Sequence, residues 1–137
     1  MYYFGPGHTN GDAFVVFPAQ HVLQTGDMFA WRDAPVFDYT NGANGIEFPK
    51  TLAKALAAIR DVDTVIPGHS PATTRKDLEE YQKFVAEFVT AVQSAAKAGK
   101  SAEDAAKSID LTPKHPGYKK DRYAAAIAVL YTELTKS

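Results

Sequence analysis

The sequence contains no cysteine. That single absence excludes disulfide scaffolds, thiolate zinc sites, iron–sulfur clusters and cysteine nucleophiles together. An excess of charge is lacking as well: 15 Lys and Arg stand against 16 Asp and Glu, a formal net charge of -1. No global basic field is present to draw nucleic acid or an anionic membrane surface, so neither is expected as a partner. Long apolar runs are also missing. The longest are Ala13 to Ala19, with Pro18 admitted, and Ala124 to Tyr131. Both fall short of the roughly 20 residues that a membrane-spanning helix requires. The opening Met1-Tyr2-Tyr3-Phe4-Gly5 has neither the basic start nor the apolar stretch of a secretory signal. It enters a glycine-rich motif at once, an abruptness that points to further chain upstream.

What is present is an ordinary globular mixture, 137 residues with 45% hydrophobic and 23% charged side chains. A chain of this length is one domain's worth and buries roughly two-thirds of the surface that its unfolded form exposes. The composition changes near Thr73, with seven of the nine glycines before it and an Ala-, Lys- and Glu-rich stretch of helical spacing after it. We therefore divide the chain into residues 1–72, strands and loops, and residues 73–137, a helical tail packed on the same domain. Ala13 to Phe17 and His21 to Thr25 read as a strand pair joined through Pro18-Ala19-Gln20. The stretch from Phe29 to Phe48, broken by Asn41-Gly42-Ala43-Asn44-Gly45, reads as a long loop. Leu52, Leu56 and Ile59 form one apolar stripe, which predicts a helix from about Pro49 to Ile59. A short β-branched strand, Asp63 to Ile66, follows. Strand, strand, helix, strand is the order of a helix crossing over a sheet. Leu78, Tyr81, Val85, Phe88 and Val92 mark a long amphipathic helix with Thr74 and Asp77 at its start and Gly99 at its end. Ser101 with Asp104 opens a shorter helix, and Tyr123, Ile127, Leu130 and Leu134 mark a last one.

Two of the four histidines sit in unusual settings. His8 lies in Gly5-Pro6-Gly7-His8-Thr9-Asn10-Gly11-Asp12, where glycines let the backbone turn sharply just before a strand. His69 lies in Ile66-Pro67-Gly68-His69-Ser70-Pro71, directly after one. Between them, Thr25-Gly26-Asp27-Met28 sets a carboxylate at a third strand end. Imidazole nitrogen and carboxylate oxygen are the donors that a borderline cation such as zinc accepts, and strand ends hold them rigidly. Taken singly, each residue has a plainer reading, the aspartate closing a turn and the histidines standing on surface loops.

In this order the three motifs resemble the second half of the metallo-β-lactamase superfamily. The resemblance covers roughly Tyr2 to Pro71. It implies an α/β fold, half of an αβ/βα sandwich, with a mixed sheet, a crossover helix and a C-terminal helical tail. It also implies that His8 and His69 each hold one metal ion and that Asp27 bridges the two and orients the nucleophile. The expected activity is zinc-dependent hydrolysis of an ester, thioester, lactone or amide in a small-molecule substrate, through hydroxide on one or two zinc ions. The superfamily's first signature, His-x-His-x-Asp-His, is absent: no two histidines here lie two residues apart. Each ion is left with two of the three protein ligands that a catalytic zinc normally keeps. Lost upstream chain, a second chain supplying the missing half, and abandoned metal chemistry all remain open.

Two rival readings stand beside this one. Gly68-His69-Ser70-Pro71-Ala72 nearly spells a nucleophile elbow, with Asp110 and His115 following in chain order. Ala72 replaces the last glycine, however, and Pro71 holds Ser70 extended where the elbow must turn. The second rival is a non-catalytic binding or interaction module derived from a metallo-hydrolase half, which self-association would favour. Trp31, Phe37, Tyr39 and Asn44 are candidates for a substrate wall on the long loop, or else simply pack it. His21 is expected to face solvent at a strand start, and His115 to sit in a helix connection. The run Lys119, Lys120, Arg122 reads as a solvated face.

Overall fold

A hairpin of two short strands opens the sheet. β1 (Val15–Phe17) and β2 (Val22–Gly26) pair antiparallel around a tight turn over Pro18–Gln20. His21 closes that turn at φ 56°, a left-handed conformation in which His is among the better-tolerated residues. Its Nδ1 lies 3.0 Å from the Asp61 carbonyl, so the exposed ring ties the hairpin to the next crossover. This is a computed structural model describing residues 1–135; Lys136 and Ser137, the end of the segment 73–137, lie outside the described residues.

From β2 the chain passes through the long loop into α1 (Phe48–Ala58), with Pro49 in the first turn where its missing N–H costs nothing. The helix buries Leu52 and Ala55, and the chain returns as β3 (Thr64–Pro67), parallel to β2 with Leu23 beside Val65. β4 (Thr73–Thr74) adds a two-residue antiparallel edge, giving a four-stranded mixed sheet in the order β1-β2-β3-β4. The residues that open the helical segment therefore belong first to the sheet. Leu23 and Val65 are buried on one face, whereas Phe17 and Ile66, on the other, are 43% and 37% exposed.

α2 (Arg75–Lys97) starts where the Thr74 hydroxyl accepts from Asp77 N, and Gly99, at φ 82°, lets the chain turn beyond it. Its apolar stripe, Leu78, Tyr81, Val85, Phe88 and Val92, is buried as the spacing requires. Phe84 sits at the centre, its ring 4.7 Å from Tyr118 and 5.3 Å from His115, with Tyr81, Phe88 and Tyr123 around it. α3 (Ala102–Ser108), capped by Ser101 on Asp104 N, and α4 (Tyr123–Thr135) close over α2, burying Ala105, Tyr123, Ile127 and Leu130.

Arg32 joins the loop to the start of α2, its Nη2 2.8 Å from Asp77 Oδ2, while the Thr73 hydroxyl donates to the same carboxylate. That hydroxyl foremost, with Arg32 adding to it, holds Asp77 below the usual carboxylate range. A carboxyl whose folded value is lowered contributes stability above its unfolded value and loses it as pH falls through the folded one. Asp77→Asn is therefore expected to lower the unfolding midpoint at neutral pH. The gap should close below about pH 4, as the wild-type carboxyl takes up its proton. Melting curves of both proteins across that range check it; a gap independent of pH would remove the charge from the explanation.

Candidate functional site

Each of the three expected residues sits where a glycine lets the chain come close. A Cβ on Gly7 would lie 2.6 Å from Met28 Sδ, so glycine there lets the His8 loop lie against the residue that follows Asp27 without displacing its thioether. A Cβ on Gly68 would lie 2.1 Å from Asp27 Oδ1, so the carboxylate occupies space that any other residue there would fill. Met28 and Phe29 are buried and anchor the turn that Asp27 opens. Gly68 N donates to Phe29 O at 3.0 Å and His69 N to Ala30 O at 3.1 Å, which fastens the His69 loop to that same turn.

The three side chains converge on one carboxylate. His69 Nε2 lies 2.9 Å from Asp27 Oδ1, and His8 Nε2 lies 3.6 Å from Asp27 Oδ2. The two imidazoles address different oxygens, one on each. On its other edge His8 Nδ1 lies 3.1 Å from Asp12 Oδ1, while Asp12 Oδ2 accepts from Thr9 N at 2.7 Å. The His69 side chain is 57% exposed and that of His8 only 17%, so the site opens to solvent on the His69 side. Trp31 flanks that opening, its ring 5.6 Å from His69, and the Arg122 guanidinium lies 5.4 Å from Trp31 on the aromatic's face.

As donors, two imidazoles and a carboxylate match zinc in kind. In number they fall short: among the described residues, no three His, Cys, Asp or Glu side chains form a group able to hold an ion by themselves. The residues present therefore fit as part of a metal site.

The long loop departs from the expected substrate wall, apart from Trp31. Phe37 turns into the core, edge-on to Phe48 at 5.8 Å. The Asn44 side chain accepts from Glu47 N at 2.9 Å and shapes the entry to α1. Tyr39 donates to Glu133 on α4, which also accepts from Gly45 N at 2.9 Å and Ile46 N at 3.2 Å. That carboxylate from the far end of the chain pins the loop, and the loop in turn holds the His8 segment: Asp38 N donates to His8 O at 2.9 Å and Asn44 N to Gly7 O at 3.0 Å.

The serine relay finds no support. Ser70 Oγ donates to Ala30 O at 3.0 Å, and Asp110 accepts from Thr112. His115 is buried between two carboxylates of α2, Glu80 on Nδ1 and Glu87 2.9 Å from Nε2. It ties the connection before α4 to α2, a burial that the flanking prolines and lysine did not reveal. Asp12 is the site residue that sequence reasoning left without a role. Its signal was the spacing of four from His8 within one glycine-rich loop.

No established family profile matches the chain. Over 67 residues, 49% of its length, it is 34% identical to the metallo-β-lactamase IND-1 of Chryseobacterium indologenes, covering 28% of that protein. Its structure is similar to that of a metallo-β-lactamase from Erythrobacter litoralis, with a TM-score of 0.54 and 27% identity over 63% of this chain and 38% of the other. It is also similar to the DIM-1 metallo-β-lactamase, with a TM-score of 0.55 and 24% identity over 63% of this chain and 40% of the other. The chain thus spans well under half the length of the relatives that it matches.

Proposed function

We propose that this chain, which carries part of the metallo-β-lactamase fold, supplies one side of the catalytic centre of a zinc-dependent hydrolase acting on an ester, thioester, lactone or amide. The observation that carries this reading is the meeting of His8, from the glycine-rich loop before β1, with Asp27 and His69, from the ends of β2 and β3, at one carboxylate. His8 and His69 would each hold one ion, and Asp27 would contribute an oxygen to both. Bound zinc supplies Lewis acidity toward the scissile carbonyl and a source of hydroxide at neutral pH. The chain's own part is to hold Asp27 and His69 at the ends of β2 and β3 and His8 on its braced loop, and to offer Trp31 as an apolar wall beside the open His69 side. Residues 1–72 carry the donors, and the helices from Arg75 to Thr135 pack against the sheet by way of α2 and brace the loop through Glu133. His8 with Asp27 would then hold one ion and Asp27 with His69 the other, two protein ligands each where a catalytic zinc normally keeps three.

The test is a hydrolysis screen over those four bond types, run before and after chelation and again after zinc is restored. Activity that falls on chelation and returns with zinc is the expected result; activity indifferent to chelators contradicts it. A second reading, a non-catalytic interaction module, is favoured by the incomplete donor group and by the sheet face bearing Phe17 and Ile66. It expects no chelator-sensitive turnover and concentration-dependent association.

A further inference from the structure

Resting on the reading of His8 as a metal ligand, we propose that Asp12 is a positioning residue. It fixes the His8 proton on Nδ1 and so leaves Nε2 unprotonated and aimed at Asp27. The geometry is asymmetric in the way this requires. At 3.1 Å, the Nδ1 to Asp12 Oδ1 separation is within hydrogen-bond range, whereas the 3.6 Å from Nε2 to Asp27 Oδ2 is outside it. One nitrogen is therefore bonded and the other only faces its carboxylate. A neutral imidazole carries one proton, and the hydrogen bond made by one nitrogen decides which of the two remains free to ligate.

Asp12 is itself held in place. Its second oxygen accepts from Thr9 N at 2.7 Å, Gly11 N donates to Thr9 Oγ1 at 3.1 Å, and the Asp12 side chain is only 11% exposed. The carboxylate is thus a fixed part of the loop, set between the loop's own backbone and the ring. On the opposite side, Asp38 N donates to the His8 carbonyl, so backbone and ring are fixed by different elements. Among the described residues His69 has no comparable partner: besides Asp27, it has ring contact with Trp31 and a backbone bond to Ala30. Of the two imidazoles, His8 is the pre-oriented one.

The test is a long-range proton–nitrogen correlation spectrum of the full chain with labelled histidine, recorded without metal at a pH where the imidazoles are neutral. Wild-type His8 should show a protonated Nδ1 and a bare Nε2. Asp12→Ala should move a large part of the population to the other tautomer, whereas Asp12→Asn, which keeps an acceptor oxygen, should retain most of the wild-type pattern. A purely structural role for Asp12 would lower the melting temperature without moving those resonances. A wild-type proton on Nε2, or an Asp12→Ala protein with an unchanged His8 spectrum, overturns the proposal. A parallel zinc titration should show Asp12→Ala weakened about 10- to 100-fold. If no form takes up zinc, the metal reading fails while the spectrum still decides the role of Asp12 on the ring.

Discussion

Asp27→Ala is expected to reduce zinc retention to background while leaving the protein folded. Asp27 is addressed by both imidazoles; on the proposed reading its removal would take one donor from each ion and leave His8 and His69 each alone. A zinc ion held by one imidazole from this chain has lost half of what the chain supplies. The fold should survive because the Asp27 side chain is partly exposed and the turn it opens is anchored by the buried Met28 and Phe29. Elemental analysis beside circular dichroism reads both halves of the expectation. Asp27→Asn, with nearly the same shape and no charge, separates loss of the donor from loss of bulk. Undiminished zinc in Asp27→Ala would take Asp27 out of the ligand set.

Phe84→Ala should be the most damaging single change to stability, at a cost of about 3–5 kcal/mol. Phe84 is fully buried, and its ring meets Tyr81 and Phe88 on its own helix, His115 and Tyr118 on the connection, and Tyr123 at the start of α4. Three segments share that one side chain, so a cavity there cannot be closed by moving any one of them. The His115 ring, held between Glu80 and Glu87, loses the aromatic surface against which it stands edge-on. Against a typical total of about 5–15 kcal/mol, such a loss is a large fraction of the whole. Denaturant unfolding measures it directly; a change under about 1 kcal/mol would mean that the aromatic cluster repacks around the gap.

The crossover helix and α2 were legible in the sequence because each writes its burial in a period, and the hairpin because two β-branched runs flank a short turn at Pro18-Ala19-Gln20. Leu78, Tyr81, Val85, Phe88 and Val92 leave little choice of face. β4 was not legible, since two threonines cannot display an alternation. At the site, His8, Asp27 and His69 were visible because each follows a glycine; Gly68 leaves no room for a Cβ, and Gly26 takes a positive φ. The partners of Phe37, Tyr39 and Asn44 were hidden. Their places are set by Phe48, Glu133 and the start of α1, and a loop without a period carries no record of such long-range partners. The same holds for His115, whose two glutamates come from a helix about 30 residues away. Asp12 lay in plain view in the motif, but its role depends on which of its oxygens meets the ring.

The central claim is that His8, Asp27 and His69 bind zinc, and a calorimetric zinc titration of the full chain with its mass followed by light scattering tests it most directly. The expected result is saturable uptake of about one or two ions per chain, either in the single chain with water completing the coordination or together with self-association. A folded protein with no saturable zinc uptake in either state would contradict the claim.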